Sequence, residues 1–456
     1  MPDSVHHTTS ARLPYLWLAL SVAVLALVSN FFGDMILHRL SSLEDAPAAP
    51  VLAALSLFAL CSFVSFYATR GTPFPSFVAA IALGIAGHTL LAPIVASPAT
   101  LASLVTAAAA IILFSGGIEM PLRDFLRLFD KIALLAFPGL LITAIAVSWA
   151  VASLAGALGF AIAPAAVILL GAIHASTDPA AIIPVLHTVR FKRQAPKEIV
   201  VAESALNDVT GALLTSAFLK LSLVALPLAA AYGALNTAAS FRFLAQQIGG
   251  GALFGLAGCA LLWFLVQFKR RHLVRYGADQ VFFLGVPLIA FAGAAAFGGS
   301  GFLAAFVAGL VFKGEGHMAE IERFFNQVID GVAKPVIFLL VGALVDVHAL
   351  LAYAPLGIAV ALVLMFVIRP AMVFLALGGY ALFAGSARAL SVRELLFIAF
   401  VRETGAIQAV LLVTAVARMT TPVHGLVEIG MWVILLTLVI APPLTPFVAR
   451  KLGVAS

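Results

Sequence analysis

Apolar runs of about 20 residues, the length of one bilayer crossing, recur from one end of this chain to the other. No other property restricts the fold as much. Backbone inside lipid has no water to bond, so only helices or a closed barrel can span it. Barrel strands would show alternation over about 10 residues instead. Only 10% of the 456 residues are charged, against about 25% in soluble domains. The sequence is therefore read as an all-α polytopic membrane protein. It has fourteen expected transmembrane helices, at 14–33, 50–69, 74–91, 101–118, 131–154, 162–187, 199–224, 243–268, 279–297, 299–313, 331–346, 351–381, 392–417 and 424–449. The third is rich in Gly, Ala and Pro, so it is expected to be short or bent. The first is too long for a signal-peptide core. The polar stretch 314–329 is expected to lie in the membrane interface, with Met318, Ile321, Phe324 and Phe325 against Glu320, Glu322 and Arg323.

Twenty of the 26 Lys and Arg fall in segments on one side of this map and three on the other. The rest, Lys220, Arg369 and Arg402, lie within spans. Such a bias places both termini in the cytoplasm. It also accounts for the net charge of +6 without nucleic acid, because the basic residues are spread over many loops. Cys61 and Cys259 both sit in spans and form no disulfide or metal framework. No nucleotide-binding or hydrolase motif is visible, so neither an enzyme nor an ATP-driven pump is read, and no cofactor is expected.

Spans two to seven and nine to fourteen form two sets of six. The single span between them makes the second set enter the membrane in the opposite sense, the signature of inverted repeats. The division is a 1–49 N-terminal span and loop, a first repeat at 50–225, a linker span at 226–276 and a second repeat at 277–456. In such folds discontinuous helices cross near mid-membrane. Pro179 cannot donate a helical bond, so the sixth span is expected to open near Ser176-Thr177-Asp178. Its counterpart is the thirteenth span, with Arg402-Glu403-Thr404-Gly405 at its centre.

The acids inside the spans are the candidate functional groups. A carboxylate at mid-membrane costs roughly 2.5–3.5 kcal/mol on insertion scales and usually marks an ion or proton path. On the seventh span Ser204 and Asp208 are four apart and share a face, while Glu203 turns towards another neighbour. Asp208 and Asp178, brought together and desolvated, titrate as a coupled pair. A small cation and a proton then compete for the same oxygens. Arg369 and Arg402 both need acidic partners. Glu203–Arg369 and Glu203–Arg402 are both open pairings, and adjacent Arg402 and Glu403 point apart. His174, one turn before the break, is a candidate pH sensor or a hydrogen-bonded bundle residue.

Glu203-Ser204-x-x-Asn207-Asp208 and Thr177-Asp178-Pro179 resemble the motifs of the monovalent cation:proton antiporters, the sodium/proton exchanger family. The stretches Ser300–Leu310 and Ile368-Arg369-Pro370 are similar to that family's later spans. The resemblance implies a homodimer of protomers, each with a six-helix core domain and a dimerisation domain. It implies Asp208 as the ion and proton carrier, with Asp178, Ser204 and the Thr177 backbone as further Na⁺ ligands and Glu203–Arg369 as a structural ion pair. Asn207 beside Asp208 resembles the electroneutral branch. Arg402-Glu403 departs from the Arg-Gly pair of many members. The expected function is exchange of Na⁺ (or Li⁺ or K⁺) for H⁺ across a cell membrane. An ion-coupled symporter of a small organic anion on a similar fold is the alternative.

Overall fold

Every expected span carries helix in the computed structural model of the chain. The structure describes residues 12–455, apart from 44, 47, 70–75, 179–185, 187–188, 273–278, 313–323, 326, 381–389 and 420–422. The first half runs α1 (Arg12–Ser41), α2 (Ala49–Thr69), α3 (Ser76–Ala86), α4 (His88–Val95), α5 (Pro98–Ile118), α6 (Leu122–Leu158), α7 (Pro164–His174) and α8 (Ala195–Lys220). A short α9 (Leu228–Ala234), which the hydropathy pattern does not reveal, leads to α10 (Ala238–His272). The second half runs α11 (Asp279–Ala296), α12 (Gly301–Val311), α13 (Lys334–Ala343), α14 (Val347–Ala352), α15 (Ala354–Gly378), α16 (Val392–Phe400), α17 (Ala406–Arg418) and α18 (Leu426–Lys451).

Among the described residues seven unbroken helices are long and apolar enough to cross a membrane: α1, α2, α5, α6, α10, α15 and α18. Most other spans are short or interrupted, while α8 is long and unbroken but more polar. The third span is bent by 91° between α3 and α4. The sixth stops at His174 and leaves 175–178 without helix. The thirteenth opens at 401–405, between α16 and α17. Pro179, the residue expected to cause the first break, lies outside the described residues. So do 314–323 and 326 of the expected interfacial helix. Of that stretch, Phe325 is buried against Phe114 and Phe283 rather than lying at an interface. Its ring fills a gap between α5 and α11, which offers more apolar contact than a headgroup layer.

Wide turns of π-helix occur at Leu135–Gly139, Ile329–Ala333, Leu364–Ile368 and Phe374–Gly378. The first three lie at or just before Pro138, Pro335 and Pro370. Each proline lacks the N–H that would bond four residues back, and a wider turn absorbs the gap.

Two groups of helices pack internally. Helices α1–α5 associate with α10–α13, and α6–α8 with α15–α18. The groups meet where α17 lies against α5 and α13, and where α8 lies against α5 and α10. Glycines form the tightest seams. Gly84 of α3 presses on the backbone of Leu339 and Ala343 in α13, and Gly342 of α13 on that of Ile81. Gly117 of α5 and Gly309 of α12 make the matching contact, on the backbones of Phe306–Leu310 and Phe114–Ile118. Exchanging spans two to seven for nine to fourteen turns one seam into the other, as a two-fold axis in the membrane plane requires. Small residues at such seams let backbones approach, which is how helices associate in lipid. The outer faces of α1, α2 and α10 are apolar, with Trp17, Phe31, Phe63 and Trp263 exposed.

A side chain cannot enter these seams without parting them. Gly309→Val and Gly342→Val are each expected to destabilise the protein by about 1–3 kcal/mol, read as a lower unfolding temperature in detergent. Gly156→Ala, whose Cβ would meet open space, is expected to cause no loss.

Candidate functional site

The breaks at 175–178 and 401–405 cross, and each supplies what the other lacks. A helix that stops inside apolar surroundings leaves carbonyls or N–H groups bare. Arg402, from the second break, donates to the carbonyl of Ser176 at 2.5 Å and to that of His174, the end of α7. Asp178, from the first break, accepts Ala406 N–H, at the start of α17, at 2.6 Å. A cation thus meets a helix C-terminus and an anion a helix N-terminus, the signs the helix dipoles favour. Asp178 N–H also bonds Glu403 C=O at 3.1 Å, joining the two strands directly. Gly405 has no alternative here, since a Cβ would collide with the Asp178 carboxylate. Thr404 ties the second break to α18: its N–H reaches Thr437 Oγ1 at 3.1 Å and its hydroxyl lies 2.6 Å from the same atom.

Helix α8 passes this crossing unbroken. Gly211 lets it approach Ser176, 2.9 Å from where a Cβ would stand. Ser204 Oγ donates to Thr177 Oγ1 at 2.7 Å. Asp208 Oδ1 accepts from Gln408 Nε2 at 3.2 Å, and the same amide nitrogen donates to Ser176 Oγ at 2.7 Å. Asp178 lies close enough for its charge to act on Asp208. The structure therefore brings Thr177, Asp178, Ser204 and Asp208 to one place, with side chains between 2 and 3% exposed. Two carboxylates with hydroxyl and carbonyl oxygens are donors that suit a hard cation. Among the described residues no group of three or more His, Cys, Asp or Glu is arranged to hold a metal ion.

Glu203 faces away from that cluster and settles the open pairing. Its carboxylate takes a bidentate bond from Arg369, Nη1 to Oε1 at 2.5 Å and Nη2 to Oε2 at 2.8 Å. Arg402 is not its partner, because both terminal nitrogens of Arg402 are committed to carbonyls of the first break. Asn207 stands between the two clusters. Its Nδ2 donates to Glu203 Oε1 at 3.0 Å and to Thr177 Oγ1 at 3.4 Å, and its buried Oδ1 has no partner among the described residues. Glu403 is buried in the crossing, and its Oε1 has no hydrogen-bond partner among the described residues. The His174 ring lies between two backbone carbonyls, Leu170 at 3.1 Å and Gly430 at 3.3 Å, and so holds α7 to α18. Gln408 and Thr437 belong to this network and were not anticipated, and Ser176, expected as part of the opening, joins it through its hydroxyl and carbonyl. An amide within the apolar run 406–413 was the available signal for Gln408.

Comparison with known proteins places these features. Residues 55–451 match the family described as "Sodium/hydrogen exchanger, transmembrane". The K(+)/H(+) antiporter NhaP of Alkalimonas amylolytica is 30% identical over 306 residues, 66% of this chain and 49% of that protein. NhaP2 of Shewanella oneidensis, also a K(+)/H(+) antiporter, is 29% identical over 67% of this chain and 50% of its own. Na(+)/H(+) antiporter 1 of Methanocaldococcus jannaschii is 29% identical over 54% of this chain and 55% of its own. The chain spans about half the length of the curated relatives it matches. The solved structure of the sodium proton antiporter MjNhaP1 from the same archaeon superposes with a TM-score of 0.68 at 22% identity, covering 89% of this chain and all of that one. That likeness shows a shared fold.

Removing one member of a buried ion pair leaves the other charge bare, at a cost of about 3–5 kcal/mol. Glu203→Gln and Arg369→Met are each expected to lower the unfolding temperature and the yield of folded protein. Exchanging both residues, Glu203→Arg with Arg369→Glu, is expected to recover part of that loss. Arg402→Met should leave the pair intact and loosen the crossing instead, read as faster proteolysis at unchanged sensitivity to Glu203→Gln.

Proposed function

The chain belongs to the sodium/hydrogen exchanger family, and on that premise we propose that it is a secondary antiporter exchanging an alkali cation, Na⁺ or K⁺ (or Li⁺), for H⁺. It is then a transporter and not an enzyme, like the antiporters it resembles. The observation that carries this reading is the meeting of Asp208 and Ser204 on α8 with Asp178 and Thr177 in a break inside a membrane helix. Asp178 caps the start of α17, but no such task calls for a second carboxylate at Asp208, where a neutral residue would join the helices at lower cost.

The exchange follows from oxygen chemistry. Asp208, flanked by Asp178, Ser204 and the opened backbone, binds either a proton or an alkali ion. One positive charge neutralises it in each case, so the loaded forms carry the same charge and the empty form is held back by its unshielded carboxylates. Exchange of one charge each way is electroneutral, in keeping with asparagine rather than a second acid at position 207. Glu203–Arg369 keeps its own charges matched and does not turn over.

Access alternates by movement of one helix group against the other. The group of α6–α8 and α15–α18 carries the site, and the group of α1–α5 and α10–α13 forms the frame. In this reading 50–225 and 277–456 are inverted repeats, 1–49 an added span and 226–276 a linker. The protein works as a homodimer in the cell membrane with both termini in the cytoplasm, where the positive-charge bias of its loops would put them.

In proteoliposomes carrying a pH dye, Asp208→Asn is expected to reduce cation-driven dequenching to the level of protein-free vesicles while remaining monodisperse. Exchange at the unaltered rate would remove the proposal. Substituting Na⁺, K⁺ and Li⁺ in the same assay identifies the cation. An imposed membrane potential is expected to leave the rate unchanged.

A further inference from the structure

Asp208 has one hydrogen-bond partner among the described residues, and it is Gln408. The carboxamide of Gln408 is fixed at three points. Its Oε1 accepts Gly405 N–H at 2.7 Å, and its Nε2 donates to Ser176 Oγ at 2.7 Å and to Asp208 Oδ1 at 3.2 Å. The first bond decides the orientation. Gly405 N–H can only donate, so the amide oxygen faces it and the NH₂ group faces Asp208. A flipped amide would set N–H against N–H and oxygen against the carboxylate. Gln408 is completely buried in the first turn of α17, so water cannot take over either contact. An N–H donor accordingly sits on Oδ1 in this structure.

We propose that Gln408 sets the competition between proton and cation at Asp208, by holding Oδ1 and leaving Oδ2 as the oxygen on which the two compete. The inference rests on Asp208 being the exchanged group. An N–H donor is compatible with a carboxylate whose other oxygen ligates a cation. Its bond to Oδ1 is stronger while Asp208 is a carboxylate than when a proton on Oδ2 makes it a neutral acid, so it disfavours protonation. Gln408 is therefore a positioning residue that favours the cation-loaded form. The other ionisable groups around Asp208 are Asp178 and His174 on the first-break side, Arg402 and Glu403 from the second break, and Glu203 on its own helix, matched by Arg369 of α15. All are retained in the variants below, so in the neutral Gln408→Met a change in proton competition reports on the amide.

The test uses the full chain in proteoliposomes, with Na⁺ and K⁺ as probes. Gln408→Met keeps the volume and removes the donor. Its apparent KM for the cation is expected to rise about tenfold, and the activity profile to move towards higher pH by about one pH unit, the same factor in proton activity. Gln408→Glu keeps an acceptor for Gly405 but presents no amide N–H to Asp208, and both readouts are expected to move in the same direction. Stabilisation of the detergent-solubilised protein against heat by added cation, measured across pH, repeats the test without transport. Should Gln408→Met not purify, Gln408→Leu, equally neutral and without a donor, replaces it. Variants with the original KM and pH profile, or with a lower maximal rate and nothing else changed, overturn the inference. An inert Asp208→Asn beside unshifted Gln408 variants overturns it while the antiporter reading stands. An active Asp208→Asn removes that reading first.

Discussion

The structure depends on two interrupted helices satisfying each other inside a medium that offers no water. An opened helix in lipid exposes backbone groups that each cost several kcal/mol if left bare. Here the carbonyls at the end of α7 receive Arg402, and the first N–H groups of α17 receive Asp178 and Gln408. Each break is stable only because the other is beside it. That dependence brings Thr177 and Asp178 next to Ser204 and Asp208 and keeps them there. The site is thus a by-product of how the fold solves its backbone problem, with the ionisable residues performing both tasks.

Charge is arranged in two tiers. Glu203 and Arg369 neutralise one another with a bidentate bond and occupy the side of α8 turned from the crossing. Around the crossing stand Asp178, Asp208, Glu403 and the single cation Arg402, an excess of carboxyl groups that invites a positive partner. Asn207 links the tiers through Glu203 and Thr177. An aspartate at 207 would place a further negative charge against Glu203. The amide instead donates to both neighbours, which joins the ion pair to the crossing without adding a charge between them.

Much of this was legible in the residues, and for stated reasons. Hydropathy located the spans because lipid tolerates only helices of a given length. Pro179 and the Asp178 beside it pointed to the first break, and the order of spans pointed to Arg402–Gly405 as the second. The partner of Glu203 stayed open, since two arginines were available and only three-dimensional packing distinguishes Arg369 from Arg402. Gln408 was passed over because a neutral amide carries no insertion penalty large enough to stand out. The short α9 and the buried place of Phe325 were also out of reach. Both depend on contacts between segments far apart in the chain, which local periodicity does not encode.

The reciprocal glycines have a mechanical consequence. Where α3 meets α13 and α5 meets α12, main chain rests on main chain with no side chains between to flex or exchange rotamers. Such a join resists both sliding and rotation, so these four helices behave as one stiff plate. The boundary facing it, where α17 lies on α5 and α13, has no such glycine contact among the described residues. Any displacement between the two helix groups would therefore leave the glycine-seamed pairs intact and fall on the boundary between the groups.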